Sequence, residues 1–310
     1  MVADRNRPRI ATTLPMTSPA DASSAAAVPP GADLVVQGPC VLREDLEVLQ
    51  LLTGAIGIEP VARAQCDAYR LHEPASIAGL DEACAAAGYD WAVVPKGRSL
   101  SRVRLVAMDM DSTLITIECI DEIAALHGIG DDVASITAAA MRGEIEFRAS
   151  LERRVALLAG LPMTDLEHVY DERLRLSPGA ERLLDACRRV GAKTLLVSGG
   201  FTFFTERLQS RLSLDHTLAN VLEVIDGRLT GRLRGEVIDA AAKAAAFAGF
   251  SQRYRGDGGI AVAIGDGAND LPMLACADVS IAYRAKPRVR REAMHAIDHC
   301  GLDAVLNLFE

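Results

Sequence analysis

The chain has 310 residues, enough for one large domain and a smaller companion, and half of them are apolar, which suits a well-buried core. A net charge of -9 and an aromatic content of 4% argue against a nucleic-acid binder, which needs a basic face or a stacking platform. An acidic chain that handles an anion must concentrate positive charge locally, through a metal ion, a lysine or an arginine.

Residues 1–32, rich in Ala, Pro, Ser and Thr, read as a disordered tail. They lack the basic start and continuous apolar run of a signal peptide, and Met16 is an alternative start. No apolar run anywhere is long enough to span a bilayer. Residues 33–97 read as a small α/β domain. "DLVVQG" is a strand, "LREDLEVLQLLTGAI" a helix, "EPVARAQCDAYRLH" extended, "IAGLDEACAAAG" a second helix and "DWAVVP" a closing strand. Residues 98–310 then alternate strand and helix as in an open parallel sheet. The strands are "VRLVAMDMD", "AKTLLVSGG", "GIAVAIGDG" and "ADVSIAY". The stretch 118–176 has helical patterns and no good strand, which predicts an inserted helical cap. Asp226-Gly227 between alternating runs predicts a hairpin.

The seven cysteines, at 40, 66, 84, 119, 187, 276 and 300, are scattered with no CxxC pair. That pattern suits neither a disulfide framework nor a zinc knuckle, and predicts mostly small core residues in a reducing cytoplasm. The six histidines form no HxxxH or HExxH pattern, and no Walker A element or EF-hand loop occurs.

Three strands end in polar motifs, and the carboxyl ends of strands are where ligands bind in open α/β sheets. "MDMDSTLI" sets Asp109 and Asp111 two residues apart. Two acids so close repel unless a proton or a hard cation intervenes, although a solvated strand-end turn looks the same. "VSGGF" offers the Ser198 hydroxyl and glycine amides that can approach a phosphate, and is also ordinary turn chemistry. "GDGANDL" carries Asp266, Asn269 and Asp270. Lys243 lies in a helical pattern, where a lysine is usually a surface charge. The basic run "RAKPRVRR" at 284–291 reads as a solvated helix start near an anion site.

Taken in order, acid pair, Ser-Gly, Lys and Gly-Asp-x-x-x-Asp resemble the four motifs of the haloacid-dehalogenase phosphatases. "MDMDSTLITIECIDEIA", "SLERRVALLAGLP", "LVSGGF" and "GDGANDLPMLACADVSIAYRAKP" narrow the resemblance to the phosphoserine phosphatases, over about residues 100–305. The resemblance implies a HAD-like Rossmannoid α/β fold and a Mg²⁺-dependent phosphomonoesterase acting on O-phospho-L-serine, the last step of serine biosynthesis. Another small phosphomonoester, or transfer to another alcohol, is the alternative. It also implies a cytoplasmic enzyme with a small-molecule substrate, no nucleic-acid or membrane partner, and a homodimeric assembly.

Residue by residue, the resemblance makes Asp109 the nucleophile and Asp111 the group that protonates the leaving oxygen and later deprotonates water. It gives Mg²⁺ the Asp109 carboxylate, the Asp111 backbone carbonyl and Asp266, with Asp270 in support. Ser198, the Gly199 amide and Lys243 hold phosphoryl oxygens, assisted by Asn269. In the cap, Glu118 receives the substrate ammonium, Arg154 pairs with its carboxylate, and Met141 and Phe147 form an apolar lid. Apart from the resemblance, Glu118 is also an ordinary helix-start acid, Arg154 a surface charge, and Met141 and Phe147 simple core.

Overall fold

The computed structural model describes Ile10 and residues 28–310, with Met141 described by its backbone only. The tail expected at 1–32 therefore lies mostly outside the described residues, in 1–9 and 11–27, as does Met16. Among the described residues no helix is long and apolar enough to cross a membrane.

The chain forms two compact units, one gathering residues up to 102 with 178–186 and 295–310, the other 103–177 with 187–294. The first is built on a small sheet. β1 (Ala32–Gly38), α1 (Arg43–Thr53), β2 (Gly57–Pro60), β3 (Asp67–His72), α2 (Leu80–Ala87) and β4 (Asp90–Pro95) follow in order. The strands lie antiparallel as β2-β3-β1-β4, the split βαβ arrangement. β1 is buried along its whole length because both faces are covered. Leu34 and Val36 point to one face and join Leu46 and Leu49 of α1 and Leu80 of α2 in the core. On the other face Gln37 accepts a hydrogen bond from Asn307 Nδ2 at 2.8 Å, so residues near the C-terminus cover it. α1 stops where Gly54 takes φ 68°, a left-handed turn that glycine adopts without strain.

The second unit is the parallel sheet with its helices. β5 (Val103–Met108) leads into four helices, α3 (Cys119–Leu126), α4 (Gly130–Met141), α5 (Phe147–Leu157) and α6 (Met163–His168). α7 (Ala180–Val190), of which only 187–190 belong to this unit, precedes β6 (Lys193–Phe201), then α8 (Thr202–Leu212), β7 (His216–Ile225) and β8 (Arg228–Arg234). α9 (Ala240–Tyr254), β9 (Ile260–Gly265), α10 (Leu271–Ala275), β10 (Val279–Tyr283) and α11 (Pro287–Glu292) complete it. Its six strands run β10-β9-β5-β6-β7-β8, parallel except for the terminal β7–β8 hairpin. Asp226 and Gly227 both take positive φ, at 49° and 74°, the turn that matches the twist of a two-residue hairpin. β5 and β9 are almost wholly apolar and buried, as central parallel strands must be. β5 lies between β6 and β9, so all three strand-end motifs emerge from neighbouring strands on one edge.

Candidate active site

Asp109 is the first residue beyond β5 and is buried, 6% exposed. Its Oδ1 accepts from the Met110 amide at 2.7 Å and its Oδ2 lies 2.9 Å from Lys243 Nζ, so both oxygens are held. The chain then turns tightly through Ser112, whose φ is 56°. This turn brings the Asp111 carboxylate back to accept from the Cys119 amide at 3.1 Å. It also sets Ser112 Oγ to donate to Glu118 Oε1 at 2.7 Å.

β6 delivers Ser198 and Gly199 beside this turn. Ser198 is fully buried and its Oγ accepts from the Gly200 amide at 2.8 Å. Position 200 must be glycine for space: a Cβ there would stand 2.7 Å from Asp111 Oδ2 and 3.0 Å from Ser198 Oγ. β9 delivers Asp266, and Asp270 folds back so that its Oδ2 accepts from the amides of Asp266 and Gly267 at 3.2 and 3.0 Å. Lys243, in the first turn of α9, is fully buried, and its Nζ spans Asp109 and Asp270 with both distances 2.9 Å. Burial works against its charge, but the two carboxylates outweigh that and hold its pKa above the usual lysine value.

Asp109, Asp266 and Asp270 each present an oxygen within 4.8 Å of the others, all three buried. Burial raises Asp109 well above the usual carboxylate range, with the Asp270 charge adding to it. Burial, then the Asp270 and Glu118 charges, pushes Asp266 up to about 7. Burial, then Glu118, pushes Asp111 up to about 7. One lysine cannot balance three buried carboxylates, and three hard oxygen donors in a desolvated cluster suit a small divalent cation such as Mg²⁺. The donor set therefore fits the metal. The Asp111 carboxylate stands outside the cluster.

A cavity of about 420 Å³ opens over this floor. Its wall includes Asp109, Asp111 and Asp266 together with Glu118, Phe147, Arg154, Gly199 and Asn269. Glu118, just before α3, and Arg154 of α5 thus share one chamber with the acid pair. Ser198, Lys243 and Asp270 sit buried behind the wall. Phe147 lies over the Ser-Gly turn, with its Cζ 3.2 Å from where a Gly199 Cβ would be. The Met141 side chain falls outside the described part of the structure.

Four further residues were not singled out from sequence. Thr113 Oγ1 donates to Asp266 Oδ1 at 3.0 Å, and its place inside the acid motif was a usable signal. Asn220 donates to the Gly199 carbonyl at 2.8 Å and accepts from the Ile238 amide at 2.8 Å, fixing the Ser-Gly turn from a strand with no motif. Ser150 lines the cavity with a buried hydroxyl that has no hydrogen-bond partner among the described residues. Lys286, in the basic run, also lines the cavity, and its amide donates to the Asp266 carbonyl at 3.1 Å.

The model of the family described as haloacid dehalogenase-like hydrolase matches residues 106–275, from β5 to α10. A phosphoserine phosphatase from Polaromonas sp. is 52% identical over 220 residues, 67% of this chain and 91% of the relative. The chain belongs to the haloacid dehalogenase-like hydrolases, among the phosphoserine phosphatases. Two solved structures agree with this placement. A probable phosphoserine phosphatase from Vibrio cholerae, unliganded, superposes with TM-score 0.77 at 34% identity, over 89% of this chain and 85% of its own. A phosphoserine phosphatase solved as a phospho-aspartyl intermediate analogue gives TM-score 0.62 at 36% identity, over 67% of this chain and 100% of its own.

Proposed function

We infer that this chain hydrolyses O-phospho-L-serine to L-serine and inorganic phosphate through a phospho-aspartyl intermediate on Asp109, with Mg²⁺ as its cofactor, the last step of serine biosynthesis. The observation that carries the substrate is that Glu118 and Arg154 line the same 420 Å³ cavity as Asp109. An acid and a base together balance the ammonium and carboxylate of an amino-acid phosphate. A cytoplasmic site of action fits the seven cysteines, none of which is in a disulfide.

The Met110 amide and Lys243 hold the Asp109 carboxylate in one orientation, so the nucleophile is positioned before substrate arrives. Asp109 attacks phosphorus, and the serine oxygen leaves with a proton from Asp111. In the second half Asp111, now charged, takes a proton from the water that attacks phosphorus and releases Asp109. Ser198 Oγ already accepts from the Gly200 amide, so its own hydrogen is the one offered to a phosphoryl oxygen. The Gly199 amide, Lys243 and Asn269 hold the remaining oxygens, a job that is mainly charge placement in phosphoryl transfer. Asp109, the Asp111 backbone carbonyl and Asp266, with Asp270 in support, would hold Mg²⁺, which would supply charge neutralisation at those oxygens. Phe147, on the cavity wall, would shield the chamber from water.

The test is phosphate release from phosphoserine, phosphothreonine, glycerol phosphate and p-nitrophenyl phosphate, with Mg²⁺ and with EDTA. The expected result is Mg²⁺-dependent hydrolysis with a strong preference for phosphoserine. Preference for another ester refutes the substrate, and full activity in EDTA refutes the metal.

A further inference from the structure

Helix α5 turns its charged residues Arg148, Glu152 and Arg153 to solvent and buries Ser150, which is 1% exposed. Ser150 lies three residues after Phe147 and four before Arg154, so the three share one face of the helix. All three line the cavity above Asp109. The Ser150 amide donates to the Glu146 carbonyl at 2.9 Å, and its carbonyl accepts from Arg154 Nε at 3.4 Å. Its hydroxyl has no hydrogen-bond partner among the described residues. A buried serine in a helix has an easy partner in the carbonyl four residues earlier. Thr137 of α4, the other cap hydroxyl on the cavity wall, uses that partner and donates to the Val133 carbonyl at 3.1 Å. Ser150 does not. An alanine would fill the same place without leaving a buried hydroxyl unmet, so the serine calls for a partner that enters the cavity.

We propose that the Ser150 hydroxyl is a specificity determinant, donating a hydrogen bond to the substrate carboxylate beside Arg154. The inference rests on the reading of the substrate as an amino-acid phosphate, and adds a second donor for the same end of it. Residues four apart on a helix have Cβ atoms about 5–6 Å apart, a span that one carboxylate bridges with an oxygen toward each group. The guanidinium supplies charge, and the hydroxyl supplies a directional bond one helical turn away. The hydroxyl is unmet in the free enzyme and met in the complex, so its bond is gained on binding.

Ser150→Ala in the full-length enzyme tests this, because it removes the hydroxyl and keeps the backbone carbonyl that holds Arg154. kcat/KM is measured for phosphoserine and for O-phosphoethanolamine, which keeps the ammonium and lacks the carboxylate. The expected loss is about tenfold on phosphoserine and within about twofold on phosphoethanolamine. The ligand-free variant should have a Tm no lower than that of the unchanged protein, since it loses an unmet buried hydroxyl and no bond. In an Arg154→Ala background the effect of Ser150→Ala on phosphoserine should shrink to about twofold, because two donors on one carboxylate are coupled. Equal losses on the two phosphates, or no loss on either, overturn the proposal and leave the substrate reading standing. A lowered Tm or an undiminished effect in the Arg154→Ala background also overturns it, by giving the hydroxyl a different partner. If the unchanged enzyme shows no preference for phosphoserine over phosphoethanolamine, the substrate reading itself is refuted and this inference goes with it.

Discussion

Removing the Arg154 guanidinium separates recognition of the amino-acid end from catalysis at phosphorus. Arg154 lines the cavity half-buried, and burial draws its pKa below the usual arginine value, opposed by the charges of Asp121, Glu118 and Asp111. Among the described residues its hydrogen bond is from Nε to the Ser150 carbonyl at 3.4 Å, which leaves the two terminal nitrogens for a carboxylate. Hydrogen bonds to a charged partner contribute about 1.5–3 kcal/mol, so Arg154→Ala should lower kcat/KM for phosphoserine roughly 10- to 150-fold. On p-nitrophenyl phosphate, which has no carboxylate, the loss should stay within about threefold. Arg154→Lys keeps the charge without the planar fork and should fall between. Both kcat/KM values are measured at saturating Mg²⁺, and their ratio is the readout. Equal losses on the two esters would show that Arg154 shapes the cap and does not clamp a carboxylate.

Asp109→Asn should lower turnover by at least about 10⁴-fold while the far-ultraviolet circular dichroism stays that of folded protein; retained turnover removes the covalent route. Gly200→Ala places a Cβ 2.7 Å from Asp111 Oδ2, and should cost about a hundredfold on every ester through displacement of that carboxylate; an unchanged rate would show that the turn can give way. His295 is buried, accepts at Nε2 from Arg98 at 2.8 Å, and burial, then the Arg98 charge, pulls its pKa down to about 3. The unfolded chain therefore takes up a proton near pH 6.5 that the folded chain refuses, so this stability is full above that pH and lost as pH falls. The loss is about 1.4 kcal/mol per unit, or roughly 2 kcal/mol by pH 5, and His295→Gln should flatten the fall in Tm between pH 7 and 5; an identical slope would remove the histidine from the account.

The candidate site was legible because its residues sit in short motifs at strand ends, where apolar strands stop and polar turns begin. That local contrast singled out Asp109, Asp111, Ser198 and Asp266, and the order of the motifs set them apart from ordinary strand-end turns. Lys243 did not show itself this way: its helical pattern is that of a solvated lysine, yet it is fully buried between Asp109 and Asp270. Only the need for a cation, and the ordered set of motifs, pointed to it. Asn220 was invisible, because an asparagine in a strand gives no sign that its amide bridges Gly199 and Ile238. The covering of β1 by residues near the C-terminus was hidden for the same reason. Gln37 and Asn307 meet through tertiary packing that no local periodicity encodes. The cysteines were read from their spacing as mostly small core residues; Cys84, Cys119, Cys187 and Cys300 are buried, while Cys40 and Cys276 are exposed.

The distribution of charge in the site also explains how an acidic chain can discriminate among anions. At its floor Asp109, Asp266 and Asp270 outnumber Lys243, a donor set that fits a divalent cation whatever ester is bound. Glu118 and Arg154 on the cap side form a separate, balanced pair of opposite charges. In the proposed reaction each finds its counterion in the amino-acid end of the substrate. An ester that lacks those groups reaches the same floor, but Arg154 and Glu118 then keep only the Ser150 carbonyl and the Ser112 hydroxyl as partners among the described residues. On that reading the charge-assisted bonds gained by the amino-acid end, which such an ester forgoes, set the preference. That is why the Arg154 variant should narrow the gap between esters chiefly by losing the good substrate, with little gain on the poor ones.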